Sequence, residues 1–160
     1  MPIPPVKLPI YYLRQVAQTI SDMGVDVHAW LARSGLQESQ LDDTNQTLTF
    51  ATFRTLVLDA LSMTQEPALS LLVGSRLRLN THGVLGYAAM NCSTLQQTIE
   101  VLERYSLLRT PLVKLQHQMV NGQLRVMVVE NFPLGDIRQV MLEAALLGVK
   151  NVVDFLAAGA

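Results

Sequence analysis

The dipeptide Asn121-Gly122 lies between two stretches in which apolar and polar residues alternate, and it restricts the fold of this chain more than any other feature. Asn-Gly favours the two-residue turn of a β-hairpin because both residues adopt positive φ at little cost. A two-residue turn pairs His117 with Val126 and places the apolar residues of both strands on one face. The sequence therefore predicts an antiparallel hairpin over residues 112–130.

Helical spacing of apolar residues accounts for most of the remaining chain. It predicts four or five helices, a central helix over residues 93–108, and a helix over residues 136–157 that backs the hairpin. A hairpin alone is only marginally stable, so helices or further strands must cover its apolar face. The predicted fold class is therefore α+β: a mostly helical single domain with an antiparallel β-hairpin packed on helices.

Short polar side chains indicate where several helices begin. Ser93 can accept a hydrogen bond from the first turn of the central helix, with Gln96 reaching back to the preceding backbone. Thr49 is suited to the same position before a third helix, and Asp136 before the last one. The spacing of apolar residues in that last helix places Phe155 on its inner face.

The first half of the chain contains both irregular and helical stretches. Four prolines within residues 1–9 predict an extended arm without regular structure. Residues 37–47 are polar and acidic and predict a loop. Pro67 is tolerated at the first position of a fourth helix, which is expected to bury Leu72 and to continue to about Leu79.

Composition excludes several classes of protein. The 160 residues are enough for one domain with a substantial core. The net charge is −1 and the basic residues are spread out, so this chain alone is not expected to bind DNA. Its single cysteine, Cys92, excludes an internal disulfide and makes a cysteine-based zinc site implausible. With no apolar run of about 18 residues and no signal peptide, we expect a soluble cytoplasmic protein without a membrane partner.

No pattern of catalytic or cofactor-binding residues is visible. The histidines His28, His82 and His117 are far apart in the sequence and lack the spacing of metal ligands. No motif joins them to a nucleophile and a carboxylate, and no glycine-rich dinucleotide or phosphate loop occurs. We therefore expect no catalytic residue, no metal site, no cofactor and no enzymatic activity.

Residues 81–109 carry a family resemblance. They contain a glycine turn, a G-x-L-G-Y segment, an S-T-L helix start and a helix that ends in E-R-Y-x-x-L-R. The pattern resembles the effector-binding N-terminal region of AraC-type transcriptional regulators, in particular the subgroup that includes ornithine-utilisation regulators. The matching residues are Gly83, Leu85, Gly86, Tyr87, Ser93, Thr94, Leu95, Arg104, Tyr105 and Leu108.

The resemblance implies a regulatory role. It implies that residues 1–160 form an effector-sensing and dimerisation domain, which is a truncated part of a longer regulator. DNA would be contacted only through a C-terminal helix-turn-helix domain that is absent from these residues. The effector would be a small metabolite, with an amino acid such as ornithine as the family-level suggestion. A homodimer is also expected, because the last helix is apolar over a wide arc.

An effector cavity is predicted between the apolar face of the hairpin and the central helix. His117 has two interpretations: a neutral core histidine bonded to backbone, or a polar group that faces a ligand. Either Arg104 or Arg109 could bind a carboxylate of the effector, but the sequence does not identify a carboxylate that would bind an effector amine. The predicted ligand-binding residues are Leu85, Tyr87, Met90, Tyr105, Arg109, Leu115, His117 and Val126.

A second hypothesis remains open at this point. The chain could be a stand-alone protein-interaction module or a small enzyme that shares the fold, because fold alone does not determine function.

Overall fold

The computed structural model describes residues 6–158. The α+β prediction is confirmed, since helices dominate and the strands form two small antiparallel sheets. Contacts divide the chain into two compact units between Val73 and Gly74, and each unit is described by itself. In chain order the elements are β1 (Lys7–Pro9), α1 (Leu13–Asp22), α2 (Val27–Ala32), β2 (Thr47–Thr49), α3 (Phe50–Thr64), α4 (Leu69–Ser75), α5 (Val84–Met90), α6 (Leu95–Tyr105), β3 (Val113–Val120), β4 (Gln123–Glu130) and α7 (Arg138–Ala158).

The first unit begins with strand pairing that the sequence did not predict. β1 pairs with β2 in antiparallel register, with Leu8 opposite Leu48. Both leucines are buried, so the pairing puts apolar side chains into the core. The prediction of an arm without regular structure is therefore wrong for residues 7–9, because proline is tolerated in a short edge strand. The remaining part of that predicted arm, residues 1–5, lies outside the described residues.

The first unit buries a tryptophan that is bonded to α3. Trp30 of α2 is fully buried, and its indole Nε1 donates to the carbonyl oxygen of Leu56 at 2.9 Å. This bond satisfies the one polar atom of a large apolar ring. α3 begins where the sequence predicted, since the Thr49 hydroxyl accepts from the backbone N–H of Thr52 at 3.2 Å.

α4 is shorter than predicted and ends at Ser75. The amide Nδ2 of Asn151 in α7 lies 3.0 Å from the carbonyl oxygen of Gly74 and 2.9 Å from that of Leu77. A helix end leaves carbonyl groups without helical partners, and this side chain donates to them. The prediction that Leu72 is buried is also wrong, because its side chain is exposed.

The second unit packs the hairpin on helices, as predicted. Leu115 of β3 and Leu124 and Val126 of β4 are partly buried against a core from the helices. That core contains two residues of α5, two of α6, one of α7 and one of the turn before α5. Its members are Leu79, Leu85, Ala89, Ile99, Leu102 and Val152.

The register of the hairpin is the one that the sequence predicted. His117 lies opposite Val126, and Val120 lies opposite Gln123 next to the turn. Asn121 and Gly122 have φ values of 51° and 76°. Two successive positive φ angles characterise the type I′ turn, whose twist matches that of the strands.

The central helix begins one residue later than the predicted cap. Thr94, not Ser93, is the N-cap, and its hydroxyl accepts from the backbone N–H of Gln97 at 3.1 Å. The reciprocal bond runs from the N–H of Ser93 to the side-chain oxygen of Gln97, at 3.0 Å, rather than to Gln96. Two adjacent hydroxyl residues offered two possible caps, and the backbone at Thr94 has the extended conformation that a cap requires.

The last helix starts after a 3-10 turn that contains Asp136. The carboxylate of Glu130 accepts from the backbone N–H of Leu134 at 2.8 Å and from Nε of Arg138 at 2.6 Å. The backbone hydrogen bond and then the arginine lower the pKa of Glu130. The prediction that Phe155 lies on the inner face is wrong, because its ring is exposed.

Within residues 6–158, no single helix is both long enough and apolar enough to cross a bilayer. One bent pair, α3 with α4, meets the length and composition criteria only when the two helices are taken together.

Gly86 gives a direct test of the packing around α5. A Cβ at this position would lie 1.8 Å from the carbonyl oxygen of Leu79, so backbone would have to move. We expect Gly86→Ala to lower the free energy of unfolding by at least about 2 kcal/mol, measured by urea denaturation.

Gly148→Ala is the matched control, since a Cβ there meets its nearest neighbour at 3.7 Å. In this helix, alanine should stabilise the protein by about 0.5–1 kcal/mol because it restricts the unfolded chain. Equal stability changes in the two variants would show that the close approach at Gly86 is incorrect.

Candidate functional site

The apolar residues of the predicted site lie together in the second unit. Leu85 belongs to the buried core, and Met90, Leu115 and Val126 are partly buried against it. They come from α5, β3 and β4, so the hairpin face and the helices meet as the sequence suggested. The four side chains therefore belong to one apolar core or pack against it.

The two tyrosines of the predicted site do not join this core. The residue at the middle of α5, Tyr87, is 63% exposed, and Tyr105 at the end of α6 is 43% exposed. Their rings are therefore available to a molecule that approaches from solvent. Each offers an apolar ring with a hydroxyl at its tip.

His117 lies on the apolar face of the hairpin, beside Val126, and is held by an acidic partner. Its Nδ1 contacts the carboxylate oxygen Oε2 of Glu103 on α6. The predicted core histidine bonded to backbone is therefore replaced by a side-chain pair. The side chains of His117 and Glu103 are 22% and 35% exposed, so the pair lies at the edge of the core.

Glu103 was not identified from the sequence. It follows Ile99 by four residues, and that spacing puts both on the same side of α6. Ile99 is fully buried, so Glu103 begins the next turn beside the hairpin. To pair Glu103 with His117 from the sequence, one would have to know both which side of α6 faces the hairpin and which residues of the hairpin face α6.

Arg109 lies beside the turn that precedes α5. A Cβ added to Gly83 would be 3.4 Å from Nη2 of Arg109, so the guanidinium lies against the backbone of this glycine. Gly83 has φ +56°, a conformation that glycine adopts at least cost. A Cβ at position 83 would meet Arg109 at an ordinary contact distance, so the positive φ is what favours glycine there.

His82, next to Gly83, is a partly buried titratable group that the sequence analysis did not include in the site. Burial, and then the positive charge of Arg109, lower its pKa from 6.5 to about 4. The imidazole is therefore neutral at neutral pH. The sequence signal was weak, because a histidine in a glycine turn is usually exposed.

The second unit contains three kinds of groups that a ligand could contact. They are the apolar side chains packed on its core, the carboxylate and imidazole of the Glu103–His117 pair, and the guanidinium of Arg109 beside Gly83. Such a mixture of apolar surface and a few polar groups is typical of small-ligand sites. Among the described residues, no group of three or more His, Cys, Asp or Glu side chains is arranged to hold a metal ion.

The lowered pKa of His82 predicts a specific dependence of stability on pH. Its folded-state pKa is lowered, so the unfolded state binds the proton first, and stability falls as the pH decreases from 6.5 to about 4. This one group accounts for a loss of about 3 kcal/mol by the lower end of that window. Urea denaturation of His82→Gln at several pH values should show a shallower loss than the wild type.

His28→Gln, at an exposed position on α2, is the matched control for this measurement. If His82→Gln shows the same pH dependence as the wild type, His82 is not neutral in the folded protein.

Comparison with known proteins connects this geometry to a family. Residues 24–160 match the family described as the arabinose-binding domain of AraC transcription regulator, N-term. The chain is 27% identical over 149 aligned residues to the ornithine utilization regulator of Pseudomonas aeruginosa. The aligned residues make up 93% of this chain and 44% of that regulator.

Two further relatives are uncharacterized HTH-type transcriptional regulators from Mycobacterium bovis and Mycobacterium tuberculosis. Each is 29% identical over 106 residues, which is 66% of this chain and 31% of the relative. The chain thus spans less than half the length of these relatives. Since this family match covers most of the chain, the chain belongs to the family of N-terminal arabinose-binding domains of AraC transcription regulators.

Proposed function

We propose that this chain is the metabolite-sensing part of a transcription regulator. The observation that carries the proposal is the position of the Glu103–His117 pair at the solvent edge of the apolar contact between hairpin and α6. Polar groups at the edge of an apolar wall can orient a small ligand that apolar contacts hold. Membership in a ligand-binding family of regulators supports this role over that of an enzyme or a stand-alone interaction module.

The proposed ligand site retains the eight residues predicted from the sequence. We propose that the apolar members form its wall and that Tyr87 and Tyr105, whose rings are exposed, contact an entering ligand. Arg109 is proposed to bind a ligand carboxylate, because its planar guanidinium suits two parallel hydrogen bonds. An amino acid such as ornithine is the proposed effector class, supported by the name of the Pseudomonas relative.

DNA control is proposed to be indirect. The chain has twelve basic against thirteen acidic residues, which gives it no general attraction for phosphates. Its effect on transcription would pass through an AraC-type DNA-binding domain joined to it. Ligand binding can change that domain's behaviour only if two conformations of the sensor bind the ligand with different affinity.

A homodimer is also part of the proposal. Leu146 and Phe155 of α7 are large apolar side chains, and they are 56% and 57% exposed. Exposed apolar surface often marks an interface between proteins.

Isothermal titration calorimetry on the chain tests the proposed function. The panel contains L-ornithine, L-arabinose, and putrescine, which has the ornithine skeleton without the carboxylate. We expect L-ornithine to bind, and Arg109→Gln to weaken it by about tenfold or more without changing the binding of putrescine.

Arg104→Gln is the matched control, because it also removes one positive charge but at an exposed position on α6. It should leave the affinities for L-ornithine and putrescine unchanged. Unfolding midpoints of all variants check that they remain folded. The proposed function is rejected if no member of the panel binds to the wild-type chain.

A further inference from the structure

We propose that Glu103 and His117 form a subsite for the ammonium group of a cationic, amine-bearing metabolite. This inference rests on the proposed function, because it names the chemical class of the ligand for that site. It is carried by the geometry of the pair: one carboxylate oxygen bonds the imidazole, and both side chains remain partly open to solvent.

The hydrogen-bonding capacity of the pair suits a donor-rich ligand. An ionised carboxylate only accepts, so the contact between Oε2 and Nδ1 requires that Nδ1 carry the proton. In the neutral imidazole the other nitrogen, Nε2, is then an acceptor. Among the residues the structure describes, neither Nε2 of His117 nor Oε1 of Glu103 has a hydrogen-bond partner. Oε1 of Glu103 is therefore an open acceptor, Nε2 of His117 is a second one when the imidazole is neutral, and an ammonium group offers three donors.

The surroundings of the pair favour a ligand with an apolar carbon chain. Leu115 precedes His117 by two residues on the same face of β3, and Val126 lies directly opposite His117 on β4. Both are partly buried against the core. A methylene chain could contact these side chains while its ammonium group meets Glu103, where the reduced exposure to water strengthens charge-assisted bonds.

The imidazole acts as a positioning group in this account. By donating from Nδ1 it fixes the orientation of the Glu103 carboxylate across the gap between α6 and β3. The second carboxylate oxygen is then held in place for a ligand donor without ordering a flexible side chain on binding. A carboxylate fixed in advance binds more tightly than one that must be immobilised by the ligand.

Calorimetry with two matched probes tests the subsite. L-ornithine carries a terminal ammonium group, and L-norvaline has the same five-carbon skeleton without it. We expect L-ornithine to bind the wild-type chain at least about tenfold more tightly than L-norvaline. Glu103→Gln should weaken L-ornithine binding by about tenfold or more and leave the binding of L-norvaline unchanged.

Glu100→Gln is the matched control, because Glu100 lies on the same helix, is exposed, and its carboxylate accepts only from Gln96 among the described residues, at 3.0 Å. It removes the same charge and should change L-ornithine affinity less than about twofold.

Two measurements on the wild type keep the test valid even if Glu103→Gln does not fold. One is the affinity ratio of the two probes. The other is the nuclear magnetic resonance signal of the His117 ring, which should shift with L-ornithine and not with L-norvaline. A structural ion pair alone would produce neither effect.

The outcomes separate this inference from the proposed function. If both probes bind equally, or if Glu103→Gln binds L-ornithine like the wild type, the subsite is rejected and the sensing role stands. If none of L-ornithine, L-norvaline, putrescine and L-arabinose binds, the sensing role and the subsite are both rejected.

Discussion

The contact between the apolar face of the hairpin and the helices behind it organises the second unit. Leu115, Leu124 and Val126 are covered only because α5, α6 and α7 present buried residues to them. Two strands alone would be marginal in water, so this burial is what stabilises the hairpin. Burial of apolar surface contributes about 25 cal/mol for each square ångström removed from water, whereas a solvent-exposed ion pair contributes at most about 1 kcal/mol.

The position of the candidate site follows from that contact. The type I′ turn at Asn121-Gly122 sets the register, and the register places His117 on the covered face. A shift of one residue would turn His117 to the opposite face and break its contact with Glu103. The site therefore depends on the Asn121-Gly122 turn, which lies outside it. It also depends on where α6 begins, because the N-cap Thr94 determines which side of the helix carries Glu103.

Local signals predicted much of this structure, and long-range contacts account for most of the rest. The hairpin register and the Thr49 cap were predictable because each depends on residues close in the sequence. The pairing of residues 7–9 with Thr47–Thr49 was not, since three-residue strands about forty positions apart leave no periodic pattern. Glu103 was missed for the same reason: its partner lies on another element, and the pairing exists only after both are packed.

Hydrogen–deuterium exchange of the chain, with and without saturating L-ornithine, tests the central claim that a metabolite binds where hairpin and α6 meet. Backbone amides in Val113–Val120 and Leu95–Tyr105 should exchange more slowly with ligand, because binding there opposes the local opening that exposes them. Peptides from α2 should be unaffected and provide the internal control. Protection confined to other elements, with no change in β3 or α6 despite measured binding, would contradict this account.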